Sequence, residues 1–186
     1  RQFIERLEQL GIPIYVSYPH NLDEVISSIY RIGRITGAEK SAKKLVFDLK
    51  LRMAKVTSKV SKAKVKPKVF FELWNEPLMS AGPGSFIDDI IRKAGGINIA
   101  GSAKSAYPIF SLEQLVKEDP DVIIGAESSM GANPLEISKR PGWDVLKAVK
   151  NQKVFTINDD IVFRAGPRLV LALEIIARYL HPELFK

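Results

Sequence analysis

The sequence predicts an α/β fold organised around a mainly parallel sheet, and three observations predict it. From residue 67 onward, apolar runs of strand length alternate with segments of helical spacing, which is the pattern of helices packed on a parallel sheet. The runs VFFELW at 69–74, VIIG at 122–125 and VFTI at 154–157 are nearly continuous in apolar character, as strands covered on both faces are. The composition is that of a globular chain, with 46% apolar and 26% charged residues among 186.

The elements follow in order. Residues 1–10 read as a helix ended by Gly11, and the run IPIYVS at 12–17 reads as a short buried strand. Asn21 is placed to cap the next helix, whose first turn holds Asp23 and Glu24, where negative charge suits the positive helix end. Leu22, Val25, Ile26, Ile29 and Ile32 recur at helical spacing, and Gly37 marks the stop. Ala42, Val46, Leu49, Met53, Val56, Val60 and Ala63 then step by four and three, a single apolar stripe on a helix otherwise covered by lysine. A helix over 38–63 would be about 39 Å long, a strut lying against a domain.

Beyond the strand at 69–74 comes the loop 75–84. Ser85 with Asp88 has the spacing of a capping box for a helix over 86–94, which Gly95 and Gly96 close. A short apolar run follows at 97–100. Ser111 with Gln114 forms a second capping box, and the apolar helix after Gly166 and Pro167 ends the chain.

Composition excludes several chemistries. The chain has no cysteine, which removes disulfides, thiolate metal sites, iron–sulfur clusters and cysteine nucleophiles. Its two histidines, His20 and His181, are far apart, which argues against a multi-histidine metal site. No apolar run approaches the ~18 residues of a membrane span. The first residues carry neither an initiator Met nor a signal-peptide pattern, and the sequence reads as a fragment.

The net charge of +7 is concentrated. Residues 40–68 hold eleven lysines and arginines against Asp48 alone, a local balance of +10, so the remainder sums to −3. Such a segment raises the question of nucleic acid. However, Phe47 is its only aromatic residue and no nucleic-acid motif accompanies it, so a solvated lysine face is the preferred reading.

In parallel sheets, ligands gather at the loops beyond the carboxyl ends of the strands, here 75–84, 126–133 and 158–164. The first contains GPGS at 82–85 but lacks the Gly-Lys-Ser/Thr ending of a P-loop, and Asp88 and Asp89 in the following turn would repel an anion. Asp159 and Asp160 have the chemistry to hold a divalent cation, although adjacent acids at a strand end more often serve as caps. There is no Gly-x-Ser-x-Gly elbow and no closely spaced pair of histidines, so the loops suit gripping a ligand better than attacking one.

Residues 70–125 carry a set of features in a fixed order. They are the strand leading into PLMSAG at 77–82, the helix start SFI at 85–87 with AGGINI at 94–99, YP at 107–108 with SLEQ at 111–114, and PDVII at 120–124. RAGPR at 164–168 before an apolar helix, and IGRITG at 32–37 before the basic helix, extend the set. This order resembles the substrate-binding proteins of ABC importers for ferric siderophores, haem and cobalamin, over residues 20–186.

The resemblance implies two α/β lobes joined by one long helix, with the ligand in the cleft between them. By that comparison residues 1–37 are a remnant of the amino-terminal lobe, 38–66 the connecting helix and 67–186 a Rossmann-like carboxyl-terminal lobe. It implies ligand-binding roles for Tyr107 and Arg164, with Asp160, Trp74 and Met79 beside them and Met130 and Asn133 by position. Glu113 matches the acid that docks the lobe onto the permease. The implied protein is not an enzyme, has no resident cofactor or metal, binds no nucleic acid and works outside the cytoplasm. Its partners are the permease with its ATPase and a ligand carrying iron or cobalt. A metal- or tetrapyrrole-handling enzyme of related architecture is the alternative. Residues 1–186 alone are further expected to bind ligand weakly or not at all and to self-associate through their amino-terminal end.

Overall fold

The computed structural model describes residues 2–127 and 134–186. The elements run α1 (Gln2–Gln9), α2 (Leu22–Ile35), α3 (Glu39–Val60), β1 (Lys68–Trp74), β2 (Met79–Ser80), α4 (Phe86–Lys93), β3 (Ile97–Asn98), α5 (Leu112–Glu118), β4 (Val122–Ala126), α6 (Pro134–Ser138), α7 (Lys147–Lys150), β5 (Val154–Ile157), α8 (Asp159–Val162) and α9 (Leu169–Leu180). No described helix is long and apolar enough to cross a membrane.

The three long apolar runs form the centre of one sheet. β1 pairs in parallel with β4, and β4 in parallel with β5. The far edge of β1 is shared: β3 pairs in parallel with its first half, and β2 pairs antiparallel with its second half. Helices cover both faces, as the run of buried residues along β4 requires. Alternation along β1 sorts its side chains between them. Val69 and Phe71 face a large core with α4 and α9, to which α2 and α3 contribute Leu22, Val25, Ile26, Leu49, Met53 and Val56. Phe70 faces a smaller core with Leu115, Ile137, Trp143 and Leu146.

The long helix has its expected form, with Ala42, Leu49, Met53 and Val56 buried. It lies against α9, held by a fork of hydrogen bonds in which Arg52 Nε and Nη2 donate to the Glu174 carboxylate at 2.8 and 2.7 Å. At its far end Val60 meets the α4 terminus, where the buried His181 ring sits 3.3 Å from the Gly95 carbonyl. Gly95 has φ +83°, and a Cβ there would stand 2.7 Å from His181 Nε2. Asp89 of α4 accepts from the Leu22 backbone N–H, and Lys93 bridges Asp89 and Asp23, seating α2 on α4.

Two local expectations are corrected. The run at 12–17 is not a buried strand: it has no β structure, and Ile12, Tyr15 and Val16 are exposed. A strand needs a neighbouring ladder for its backbone groups, and no described strand lies beside this segment. Ser85 caps α4 by accepting from the Asp88 N–H, but Asp88 does not complete a box. Its carboxylate is buried instead, accepting from Asn98 Nδ2 at 2.9 Å and pairing with Arg92 at 2.8 Å. The box at Ser111 and Gln114 is complete in both directions.

Candidate ligand-binding edge

The carboxyl ends of β1, β4 and β5 point to one edge of the sheet, because the three strands are parallel. The residues that follow them build that edge. Trp74 ends β1 with its indole 44% exposed and its Nε1 donating to the Glu76 carbonyl at 2.9 Å, which fixes one side of the ring and leaves a face to solvent. The chain then turns back as β2, where Met79 is half-buried.

A second segment lines the outside of β2. Backbone bonds from Ser80 N to the Pro108 carbonyl, Gly82 N to the Ala106 carbonyl and Phe110 N to the Leu78 carbonyl run residues 106–110 antiparallel beside 78–82. That ladder carries Tyr107 to the margin, 50% exposed. Its root is Asn98, which is buried, donates to the Ala81 carbonyl at 2.7 Å and to Asp88, and accepts from the Ala100 N–H.

Beyond β5 the expected loop contains the one-turn helix α8. Asn158 caps it, accepting from the Asp160 N–H at 3.0 Å, while its amide donates to Glu127 at the end of β4. Asp160 receives Arg164 Nε at 2.7 Å, and both side chains are more than half exposed. The pairing engages Nε of a guanidinium whose side chain is 69% exposed. The acids at 159–160 therefore sit in the first turn of a helix, where a cap and an arginine engage Asp160. Among the described residues no group of three or more His, Asp or Glu is placed to hold a metal ion.

The carboxyl edge thus presents an anchored indole and an oriented guanidinium, with Phe163 also partly exposed, while the Tyr107 phenol is exposed farther down the outer side of β2. An aromatic face takes up apolar or conjugated ligand surface, and a guanidinium takes up carboxylate or other anionic groups with fixed geometry. Met130 and Asn133 lie outside the described residues. Glu113 is exposed in the first turn of α5, and its carboxylate has no partner among the described residues.

Behind the edge lies a pair that sequence reasoning missed. Glu72 on β1, 1% exposed, receives Arg140 Nη1 and Nη2 at 2.6 and 2.9 Å. Arg140 also lies over the Trp143 ring, 4.9 Å from its centroid. The only signal was an acid inside an apolar strand, which implies a buried cationic partner without saying which one. Glu127 and Asn158 were likewise unmarked. On β5, Phe155 stacks on Tyr179 at 4.3 Å, and burial aided by Glu127 pushes the Tyr179 phenol above its ordinary range.

The profile of the periplasmic binding protein family matches residues 1–161. The chain belongs to that family. It is 31% identical over 188 residues to an uncharacterized ABC transporter substrate-binding lipoprotein of Bacillus subtilis, covering 98% of this chain and 58% of that protein. A vitamin B12-binding protein of Vibrio cholerae is 27% identical over 179 residues, covering 95% of this chain and 63% of its own. The chain therefore spans about six-tenths of the length of these curated relatives. Among solved structures, a possible iron-binding periplasmic solute-binding protein of Staphylococcus epidermidis superposes with a TM-score of 0.83 at 31% identity, over 97% of this chain and 70% of that one. The periplasmic binding protein fold expected from the order of motifs is the fold observed.

Proposed function

We propose that this protein is the extracytoplasmic substrate-binding component of an ABC importer. It captures a bulky iron chelate of the siderophore type, haem or cobalamin, and passes it unchanged to a permease and its ATPase. The observation that carries the reading is family membership across residues 1–161, with relatives named for vitamin B12 and for iron binding. The sheet edge adds chemical sense: Trp74, Met79 and Tyr107 offer apolar and aromatic surface to a macrocycle or catechol, and Arg164, oriented by Asp160, offers a charge to its acidic groups. In this reading the edge is one wall of a cleft, residues 67–186 are the lobe that bears it, residues 38–66 are the strut, and residues 1–37 are a remnant of the amino-terminal lobe whose helix α2 packs back on α3 and α4. Binding by shape and charge needs no nucleophile or proton relay, so the component acts without chemistry on its ligand.

Calorimetric titration of the full-length gene product with a ferric hydroxamate, haem and cyanocobalamin tests the reading. One of the three is expected to bind at micromolar concentration or tighter. Arg164→Ala is expected to weaken that binding by about tenfold or more, the size of a lost charge-assisted hydrogen bond. Failure of all three to bind overturns the reading.

A further inference from the structure

The outward face of α3 carries an arrangement that ligand capture does not use. Successive helix residues turn by about 100°, so Lys40, Lys44, Phe47, Leu51 and Lys55 fall on one stripe opposite the buried Ala42, Leu49, Met53 and Val56. All five are exposed, Phe47 to 67% and Leu51 to 46%. Two large apolar side chains one turn apart thus stand in water, in the middle of a row of lysines. Lys40, Lys44 and Lys55 have no acidic partner among the described residues, whereas Lys43 beside them is paired with Glu39. Past the helix, Lys62, Lys64 and Lys153, with Glu183 among them, line a recess of about 500 Å³ at the amino edge of the sheet.

We propose that this face docks on an anionic phospholipid surface. The charge balance supplies the attraction, since residues 40–68 carry +10 while the remainder of the chain carries −3, and among the described residues only Lys43, Arg52 and Lys68 of that segment are held in ion pairs. Lysines collect at anionic headgroups, and Phe and Leu between them reach the boundary of headgroup and acyl chain. The straight row from Lys40 to Lys55, about 22 Å long, meets a flat surface along its whole length. A single-stranded nucleic acid would instead call for a series of stacking aromatics, and the row has only Phe47 beside a Leu that cannot stack. Docking in this way would hold the protein at the membrane by its strut and leave the sheet edge free. The inference goes beyond ligand capture and does not depend on it.

Co-sedimentation with vesicles tests it, comparing phosphatidylcholine alone with phosphatidylcholine containing phosphatidylglycerol. The protein is expected to bind only the second, and to be released by high salt. Lys44→Glu with Lys55→Glu should lower the bound fraction by at least about tenfold. Phe47→Ser with Leu51→Ser should lower it severalfold at unchanged charge. Lys104→Glu with Lys117→Glu, an equal charge change on exposed sites off α3, should leave it within about twofold. All these positions are exposed, and circular dichroism checks that each variant is folded. No binding to phosphatidylglycerol vesicles overturns the proposal. So does an equal loss in the Lys104 and Lys117 variant, an unaltered Phe47 and Leu51 variant, or tighter retention on single-stranded DNA than on the vesicles.

Discussion

Arg140 closes on Glu72 through both terminal guanidinium nitrogens, at 2.6 and 2.9 Å, directly behind the sheet edge. The carboxylate is almost wholly buried and the arginine is 17% exposed, so each neutralises the other away from water. Breaking such a pair from one side leaves a buried charge without a partner. Arg140→Met is therefore expected to cost about 3–5 kcal/mol in urea unfolding. Glu72→Leu combined with Arg140→Met removes both charges and should recover a large part of that loss. A double variant as unstable as the single one would show that the pair's geometry, and not its neutralisation, matters.

The strut is tied to the lobe by a titratable contact. Hydrogen bonding from Arg52 holds the Glu174 carboxyl below its ordinary range, against a smaller opposing effect of burial. A depressed carboxyl contributes stability that is fully present above its unfolded value and is lost as pH falls through the folded one. Wild type should therefore exceed Glu174→Gln in stability by a constant margin near neutral pH. That margin should shrink once pH drops below the usual glutamate range, and vanish below the depressed value. Unfolding midpoints measured for both proteins across acid pH check the sign, and a margin that grew on acidification would contradict it.

At the other end of the strut the backbone sets the constraint. Gly95 has a positive φ, and a Cβ there would meet His181 Nε2 at 2.7 Å and Val60 Cβ at 3.2 Å. Gly95→Ala should cost more than about 1 kcal/mol, combining left-handed strain with displacement of a buried ring. Gly84 has the same φ of +83° with nothing within 4 Å of the added methyl, so Gly84→Ala separates the two causes. Equal losses at both positions would assign the whole effect to the backbone.

What could be read in the sequence was what is local. The reciprocal bonds of Ser111 with Gln114 and the buried stripe from Ala42 to Val56 depend on spacing within a few turns, and the three central strands on short apolar runs. The segment 12–17 shows the limit, because an apolar run says nothing of whether another strand lies beside it. Residues 106–110 show the converse: they join β2 by hydrogen bonds although Ile109 is 65% exposed, so no hydrophobic pattern announces them. Glu72 and Arg140 are 68 positions apart, and only the tertiary fold brings them together. The exposure of Trp74, Tyr107 and Arg164 is legible from their places in loops and at a strand end, while the contacts made by Asn98, Asn158 and Glu127 are not.

Asn98 carries the consequence of that distinction. Its amide donates to Ala81 and Asp88, and its carbonyl accepts from Ala100, all from a buried position. Asn98→Ala should cost about 1–3 kcal/mol by leaving those groups unpaired. It should also speed hydrogen exchange along residues 78–82 and 106–110, the ladder that carries Tyr107. Faster exchange confined to α4 would mean that Asn98 serves only the Asp88 carboxylate.

Glu113 gives the sharpest separation between a structural and a docking role. The structural explanation is available: the residue lies in the first turn of α5 behind the cap Ser111, where a negative charge stabilises a helix by about 0.3–1 kcal/mol. That effect requires only proximity to the helix end and is indifferent to where the carboxylate points. Docking on a permease requires an exposed carboxylate without internal partners, and Glu113 meets both conditions among the described residues. Exposed charges at the rim of an interface act mainly on association rate and on its salt dependence. Glu113→Gln in the full-length gene product should therefore leave the unfolding midpoint and ligand affinity nearly unchanged. Uptake through the reconstituted transporter should slow, most at low salt, and charge reversal to Lys should slow it further. Unaltered uptake by both variants, alongside a small loss of stability, would return Glu113 to the helix end alone.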